Sequence, residues 1–333
     1  MIVGHVWPWH EPAPAWFRSP VLVGAVYASV LSFRFMAYLA LCLRRARDLH
    51  HRYGTWAIVT GPTSGIGRSM AMELARRGLN LVLVGRNADY LRETSDAIRS
   101  RHGVETKTVL FDLSLVGTAQ GDEAMHRLRD SVDGLDVGVL VNNAGVEKPH
   151  GMYLHEVDVD LWVRMIRVNL WAVTEVTAAV HGAGDGGTRG RGAVVNIGSA
   201  ASEAVSSFPP STMYAATKRY VAHFSRSLYV ECKSKGVDVQ CQAPFFVATR
   251  MVTGIKLLSW LAPFVLTADA YAHAAALWIG HGPLCFPTVR HQLLWCIAAI
   301  VPDVALEWLL VYGMPTAEGS LPEGQSVEGS IGV

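Results

Sequence analysis

The stretch Trp56–Gly67, which reads WAIVTGPTSGIG, decides the fold of this chain. Its first five residues form an apolar, β-branched run typical of a buried strand, and Gly61, Gly65 and Gly67 follow directly. An amphipathic stretch that begins at Arg68 continues the chain as a helix. Glycines between a strand and a helix let backbone N–H groups and the helix N-terminus approach a pyrophosphate closely. The sequence therefore predicts a dinucleotide-binding βαβ unit here.

The same alternation of strand and helix continues from Gly54 to about Val247. We predict strands at Trp56–Thr60, Asn80–Val84, Glu105–Phe111, Val137–Asn142, Ala193–Ile197 and Val237–Gln242. We predict helices between them at Arg68–Arg77, Asp89–Arg101, Glu123–Ser131, Val157–Val180 and Tyr214–Lys235. The glycine-rich connection His181–Gly192 is predicted to be a mobile surface loop. The fold class expected is therefore α/β, a doubly wound parallel sheet of the Rossmann type.

The composition excludes several classes of protein. Half of the 333 residues are hydrophobic and 17% are charged, which is too apolar for a disordered chain. The net charge of +1 removes the electrostatic argument for nucleic-acid binding. The five cysteines form no CxxC pair, and the histidines show no HExxH spacing. We therefore expect neither a disulfide framework nor a metal site.

The first fifty residues carry a candidate transmembrane helix. Val21–Leu43 is an apolar run interrupted by Arg34, long enough as a helix to cross a hydrocarbon core of about 30 Å. Aromatic residues precede the run and arginines follow it: Trp7, Trp9, Trp16 and Phe17 on one side, Arg44, Arg45, Arg47 and Arg52 on the other. The positive-inside rule then places the rest of the chain in the cytosol. A hydrophobic helix that lies on a surface or pairs in a dimer is the alternative.

Further motifs follow the glycine turn in the order of the strands. They are Asp112-Leu113 after the third strand, Asn142-Asn143-Ala144-Gly145 after the fourth, Asn169 in the next helix, Ser199 after the fifth strand, and Tyr214 with Lys218 as a Tyr-x-x-x-Lys pair. Together with Gly61-Pro62-Thr63-Ser64-Gly65-Ile66-Gly67, this order resembles the short-chain dehydrogenase/reductase family over roughly residues 54–280. The stretch Gln240–Thr249 and the long Ser-to-Tyr loop resemble its very-long-chain 3-oxoacyl-CoA reductase branch, relatives of the 17β-hydroxysteroid dehydrogenases.

The family resemblance implies a nicotinamide cofactor. The expected contacts are Gly61, Thr63, Ser64, Gly65, Ile66, Gly67, Arg68, Arg86, Asp112, Leu113, Asn143, Ala144, Gly145, Tyr214, Lys218, Pro244, Val247 and Thr249. The second predicted strand runs into Gly85-Arg86, and an arginine there suits the 2′-phosphate of NADPH, whereas an acid would bind the ribose hydroxyl of NADH. Arg68 adds a second cation expected near the same phosphate. We favour NADPH; the alternative is that both arginines are solvated or ion-paired surface residues.

The chemistry expected is hydride transfer to a ketone, which leaves an alkoxide that needs a proton donor and hydrogen bonds. By resemblance, Tyr214 is the general acid, Ser199 polarises the carbonyl oxygen and Lys218 also holds the nicotinamide ribose. Asn169 is expected to position a proton-relay water. Lys218 lies one helical turn from Tyr214, so we expect its charge to lower the pKa of the phenol. Ser202 is the alternative to Ser199, which we choose because the strand end fixes its position.

The branch resemblance also implies a substrate and a location. Its members are anchored in the endoplasmic reticulum membrane and reduce 3-oxoacyl-CoA to 3-hydroxyacyl-CoA with NADPH during very-long-chain fatty-acid elongation. Candidate partners are a long-chain 3-oxoacyl-CoA, the membrane, elongase-complex proteins and a second copy of the chain, with no nucleic acid. A membrane-bound 17β-hydroxysteroid or other lipid-ketone reductase is one alternative. A catalytically silent elongase-associated subunit is the other.

These expectations give a plan for the whole chain. Residues 1–20 are lumenal or interfacial, 21–43 the transmembrane anchor, 54–280 the NADP-binding catalytic domain, 281–315 an apolar C-terminal segment, and 316–333 a disordered tail. Apolar residues from Met251 to Val265 are expected to line an acyl channel or lie in the bilayer surface, a buried core helix being the alternative. The apolar stretch Leu293–Tyr312 is expected to be membrane-associated or packed.

Overall fold

A computed structural model describes residues 15–43, 47–147, 154–182, 191–209, 211–250 and 259–312. The chain divides into two compact units, Met1–Ala46 and Arg47–Val333. The predictions for residues 1–14, 251–258 and 316–333, and for most of the connection His181–Gly192, lie outside the described residues.

The first unit contains one long helix, α1 (Ala15–Cys42). Within it, the 24 residues Ser19–Cys42 are long and apolar enough to cross a membrane. At 1.5 Å per residue this stretch spans about 36 Å, against a hydrocarbon core of about 30 Å. Large apolar side chains such as Val23 and Phe33 are 68% and 75% exposed. The helix therefore has the length and surface of a membrane anchor.

The second unit is built on a parallel sheet. Its strands are β1 (Trp56–Thr60), β2 (Asn80–Gly85), β3 (Thr106–Leu110), β4 (Val137–Asn142), β5 (Gly192–Ile197), β6 (Val237–Gln242), β7 (Val247–Ala248), β8 (Leu266–Thr267) and β9 (Leu284–Cys285). Its α-helices are α2 (Leu49–Arg52), α3 (Gly65–Arg76), α4 (Ala88–His102), α5 (Ala119–Val132), α6 (Val159–Ile166), α7 (Ala172–Gly182), α8 (Ala200–Glu203), α9 (Thr212–Cys232), α10 (Ala268–Trp278), α11 (Val289–Ala298) and α12 (Asp303–Tyr312).

Seven strands pair in the order β3-β2-β1-β4-β5-β6-β9, and every pairing is parallel. The order reverses between β1 and β4, so the carboxyl ends of these strands flank the crevice in which such sheets bind ligands. Strands β7 and β8 form a separate parallel pair. The predicted fold class, a doubly wound Rossmann-type sheet, is confirmed.

The pleat of β1 explains why the sheet is covered on both faces. Ala57 and Val59 belong to the core cluster that contains Met70 and Leu74 of α3, while Ile58 packs in the opposite cluster. Alternate residues of a strand point to opposite faces, so each face needs its own layer of helices. Buried residues of α3, α4 and α10 cover the first face, and buried residues of α5 and α7 cover the second.

Two elements differ from the prediction. The segment Val157–Val180 is not one continuous α-helix, because the π-helical turn Arg167–Trp171 separates α6 from α7. The sheet also extends past residue 280, since Leu284 and Cys285 pair with Cys241 and Gln242 of β6. A strand of two residues gives almost no periodic signal, which is why the sequence did not predict it.

The C-terminal helices α11 and α12 meet at an angle of 112°. Their inner residues pack on the catalytic unit: His291 is fully buried and Leu294 is 7% exposed. Their outer apolar residues are exposed, namely Val289, Leu293, Ile297, Ile300, Val304, Trp308 and Val311. One side of this helix pair is therefore packed, and the association of its exposed side with a membrane stays a prediction.

Candidate active site

The glycine turn that follows β1 adopts a conformation that needs its glycines. Gly61 and Gly65 have φ angles of +64° and +53°, in the left-handed region. At Gly67 a Cβ atom would lie 2.1 Å from the carbonyl oxygen of Gly61 and 2.3 Å from Nδ2 of Asn143. Thr63, Ser64 and Ile66 lie half-buried in or beside the turn, which opens α3. The first N–H groups of a helix have no partner within it, so this turn is a cradle for a phosphate.

The residues after β4 hold the turn in place. Thr60 Oγ1 accepts hydrogen bonds from the main-chain N–H of Asn143 at 3.0 Å and of Ala144 at 3.1 Å. Asn143 Nδ2 donates to the carbonyl oxygens of Thr60 and Gly61, both at 3.1 Å. Gly145 follows, where a Cβ atom would lie 3.3 Å from Lys218 Nζ. These contacts join the predicted phosphate cradle to the predicted catalytic lysine.

The segment after β6 returns to the same turn. The carbonyl oxygen of Pro244 accepts a hydrogen bond from the N–H of Ala200 at 2.8 Å, and Val247 is 2% exposed in β7. The methyl group of Thr249 lies 3.1 Å from the position that a Cβ of Gly65 would occupy. The structure therefore brings Thr249 to the start of α3, and its contact with a cofactor stays a prediction.

The far end of the predicted cofactor cleft lies at the carboxyl ends of β2 and β3. Asp112 Oδ1 accepts hydrogen bonds from the N–H and the hydroxyl of Ser114, at 2.9 and 2.7 Å, and Leu113 is buried. Burial lowers the pKa of Arg86, the charge of Arg164 lowers it further, and Asp112 opposes both. The Nε of Arg164 is buried and has no hydrogen-bond partner among the described residues. Two neighbouring guanidinium groups at this point favour an anionic ligand.

Arg68 forms an ion pair in the structure. Its guanidinium is 3.4 Å from a carboxylate oxygen of Glu93 on α4, in an exposed ion pair. This is the surface-pairing alternative stated above, with Glu93 as the acid.

Tyr214 and Lys218 lie on α9 and are both buried, at 8% and 5% exposure. Lys218 Nζ donates to the carbonyl oxygen of Ile197 at 2.9 Å and lies 5.7 Å from the centre of the Tyr214 ring. Burial lowers the pKa of Lys218 to about 8. Burial also raises the pKa of Tyr214 above its ordinary range, and the charge of Glu147 raises it further. The expectation that the pKa of Tyr214 is lowered is wrong, because the free-energy cost of burying the charged phenolate exceeds the stabilisation that its hydrogen bond with Ser199 provides.

The hydroxyl groups of the two candidate serines, Ser199 and Ser202, form different hydrogen bonds. The hydroxyl of Ser199 forms a hydrogen bond with Tyr214 that acts to lower the pKa of the phenol. It also accepts from the N–H of Ala201 at 3.2 Å. The hydroxyl of Ser202 donates to the main-chain carbonyl of Ser199 at 2.8 Å, and Ser202 is 4% exposed. The geometry therefore favours Ser199 as the serine that acts with Tyr214.

Asn169 occupies the π-helical turn and is 1% exposed. Its Oδ1 accepts from the N–H of Val146 at 2.8 Å, and its Nδ2 donates to the carbonyl of Val146 at 2.9 Å and to Thr217 Oγ1 at 3.0 Å. The side-chain amide thus ties the loop after β4 to the helix that carries Tyr214. Isolated π-turns occur often at functional sites. The role of Asn169 in positioning a water stays a prediction.

Glu147 is a charged group of this site that the sequence analysis missed. Its Oε1 accepts a hydrogen bond from Ser211 Oγ at 3.0 Å, at the N-terminus of α9. Its charge raises the pKa of both Tyr214 and Lys218. The one signal in the sequence is its position two residues after Gly145, directly behind the fourth strand. Among the described residues, no group of three metal-ligating side chains occurs.

The architecture and this set of residues can be compared with known proteins. The family model for short chain dehydrogenases matches residues 55–257. The chain belongs to the short chain dehydrogenase family. It is therefore an oxidoreductase of that family, and the predicted family resemblance is confirmed.

Several relatives are similar over most of their length. A very-long-chain 3-oxoacyl-CoA reductase-like protein of Arabidopsis thaliana is 43% identical over 265 residues, which cover 79% of this chain and 82% of the relative. A very-long-chain 3-oxoacyl-CoA reductase of Rattus norvegicus is 35% identical over 84% of this chain and 88% of its own. An inactive hydroxysteroid dehydrogenase-like protein 1 of Homo sapiens is 34% identical over 92% of this chain and 88% of its own.

A solved structure supports the nature of the cofactor. A short-chain dehydrogenase from Sphingobium yanoikuyae in complex with NADPH is 26% identical, with a TM-score of 0.60 over 80% of this chain and 98% of that chain. This similarity and the family membership support a nicotinamide cofactor for the present chain. The glycine cradle, in which a Cβ at position 67 would collide with backbone, fits such a group.

Proposed function

We propose that the protein reduces 3-oxoacyl-CoA to 3-hydroxyacyl-CoA with NADPH, in very-long-chain fatty-acid elongation. The observation that carries the proposal is the buried set of Ser199, Tyr214 and Lys218 beside the glycine cradle. Relatives named very-long-chain 3-oxoacyl-CoA reductase, at 43% and 35% identity, support the substrate class.

Each residue of the site has a separate role in ketone reduction. The nicotinamide, when bound, supplies the hydride. Tyr214 donates its phenolic proton to the oxygen of the ketone, and Ser199 donates a hydrogen bond to the same oxygen as negative charge develops there. Lys218 holds the nicotinamide ribose and stabilises the phenolate that remains on Tyr214. Burial of these groups strengthens each electrostatic interaction, because water does not screen it.

The preference for NADPH rests on the cleft end at Arg86. The guanidinium of Arg86 is half-buried, Arg164 lies close enough to lower its pKa, and Asp112 acts to raise it. Two neighbouring guanidinium groups attract a 2′-phosphate, because guanidinium groups bind phosphate in a bidentate manner.

We propose that α1 anchors the chain in the endoplasmic reticulum membrane with the catalytic unit in the cytosol. The length of Ser19–Cys42 and the arginines that follow it support this arrangement. The exposed apolar side of α11 and α12 supports a further contact with the bilayer surface. Extraction with alkaline carbonate should leave the full chain in the membrane, and protease added outside sealed microsomes should digest the catalytic unit. Release by carbonate or protection from protease would contradict the arrangement.

The activity can be tested with detergent-solubilised full-length protein. NADPH oxidation is followed with a C18 to C20 3-oxoacyl-CoA, with a steroid ketone, and with the Tyr214→Phe variant beside the wild type. Turnover of the acyl-CoA that the variant loses supports the proposal. Turnover of the steroid alone would select the lipid-ketone alternative. Bound NADPH without turnover of either would select the silent subunit, a role that the name of the human relative also raises.

A further inference from the structure

A cavity of about 790 Å³ lies beside the glycine turn, at the edge of the predicted cofactor cleft. Its walls come from one face of α3, from the start of α10, and from the segment that ends at Arg250. Among the described residues, neither Arg86 nor Asp112 lines it. The cavity and the predicted cleft share Gly65, Arg68 and Thr249. It therefore begins at the predicted phosphate cradle, and its described lining does not include the residues expected at the adenosine end.

The cavity is strongly basic. Three arginines line it: Arg68 from α3, Arg101 from α4 and Arg250 after β7. Arg101 and Arg250 form no ion pair with any described residue. Among the described residues of the lining, the one acid is Asp269, which accepts a hydrogen bond from Ser69 at 2.6 Å. Arg68 is paired with Glu93, whereas Arg101 and Arg250 have no acidic partner among the described residues. Arginines of the second kind are common protein ligands of phosphate groups.

The remaining wall is apolar. Met72, Val265 and Ala268 also line the cavity. An apolar surface beside several cations suits a nucleotide, whose base packs on the apolar side while its phosphates contact the guanidinium groups. The volume lies within the range of about 300 to 1,000 Å³ that small-molecule sites occupy.

The geometry points to this cavity as the site for the 3′-phospho-ADP group of a coenzyme A thioester. The inference rests on the proposed function, in which the acyl chain of the same substrate places its ketone at Tyr214. The flexible pantetheine arm would leave the reacting centre past Thr249 and deliver the nucleotide to Arg101 and Arg250. The acyl chain and the nucleotide are thus recognised in separate places, and the charged end of the substrate determines its orientation.

The binding experiment uses full-length protein in detergent with NADP⁺ at saturation, so that the cofactor cleft is filled. Adenosine 3′,5′-bisphosphate, which reproduces the nucleotide end of coenzyme A, is titrated by calorimetry. We expect binding to the wild type, weakened about 10-fold in Arg101→Ala and in Arg250→Ala. Arg92→Ala is the matched control, because Arg92 lies on α4 as Arg101 does and its side chain is 71% exposed outside the cavity. No binding to the wild type, or equal weakening in the control, would overturn the inference.

A kinetic experiment separates the nucleotide from the acyl group. The same 3-oxoacyl chain is offered as a coenzyme A ester and as an N-acetylcysteamine ester, which has no nucleotide. Arg101→Ala and Arg250→Ala should raise the KM for the first ester about 10-fold and leave the KM for the second and the Kd of NADPH unchanged. A parallel rise for both esters, or a weaker affinity for NADPH, would contradict the site. If neither ester is turned over while the bisphosphate binds as expected, the proposed activity fails and the nucleotide site stands.

Discussion

Replacing Lys218 with methionine should remove a pH dependence of stability that the buried ammonium group creates. Lys218 is 5% exposed, and its Nζ donates to the carbonyl oxygen of Ile197. Burial lowers its pKa from an ordinary value of 10.5 to about 8, even though Cys241 and Glu147 act to raise it. Methionine keeps most of the length and the apolar stem of lysine and removes the charge.

The sign and size of the effect follow from these two pKa values. Between pH 8 and 10.5 the unfolded chain keeps the proton on Lys218 while the folded chain has released it. Stability increases with pH wherever the unfolded state binds more protons. One pKa unit corresponds to about 1.4 kcal/mol, so the free energy of unfolding should gain about 2 kcal/mol between pH 7 and about pH 9.5. Below pH 8 both states are protonated and the gain disappears.

The assay is guanidinium-induced unfolding of the cofactor-free full chain in detergent, followed by tryptophan fluorescence at several pH values. The difference between wild type and Lys218→Met reports the lysine together with its coupling to Cys241 and Glu147, because groups that do not interact with Lys218 contribute equally to both proteins. Lys107→Met, at an exposed lysine, is the control and should differ from wild type by a constant amount. A difference between wild type and Lys218→Met that stays constant from pH 7 to 9.5, or that falls, would refute the reasoning.

Three other substitutions test the site. Gly67→Ala should abolish NADPH binding measured by fluorescence, whereas Gly192→Ala, whose Cβ would meet its nearest atom at 3.8 Å, should keep it; equal losses would argue against the cradle. Arg86→Ala should reduce the kcat/KM preference for NADPH over NADH about 10-fold or more, and an unchanged ratio would remove the phosphate role. Ser199→Ala should lower kcat about 100-fold and Ser202→Ala far less, since Ser202 donates to a main-chain carbonyl; the reverse order would exchange their roles.

The sheet was predictable because its signals are local. Strands β1, β4 and β6 have the predicted bounds, and the other three predicted strands differ by a residue at one or both ends. Each is a short β-branched run between turn residues, and in a parallel sheet such runs are buried on both faces. The positions of the strand ends also indicated where the site residues lie, because Asn142 and Ile197 lead directly into the segments that surround Lys218.

The parts that could not be predicted depend on contacts between distant segments. The break at Arg167–Trp171 follows no proline or glycine, and it coincides with Asn169, whose amide bonds to Val146 and Thr217. The strand β9 forms because its backbone pairs with the free edge of β6. In the sequence, nothing distinguishes Glu147 from other acidic residues in loops. Its place in the site depends on the fold, which brings Ser211 within hydrogen-bond distance of it. Local patterns carry no information about such pairings.

The electrostatics of the site favour one direction of the proposed reaction. A residue that donates a proton to a developing alkoxide must hold that proton at the working pH, as Tyr214 does in the free protein, although its raised pKa also makes it a weaker acid. The reverse oxidation needs the phenolate as a base, and burial together with Glu147 disfavours that form. Lys218, with a pKa of about 8, is mainly charged near neutral pH, so it can stabilise the phenolate after the proton has left. The burial of Tyr214 and Lys218 thus lowers the stability of the free protein, and the same burial produces the protonation states that ketone reduction requires.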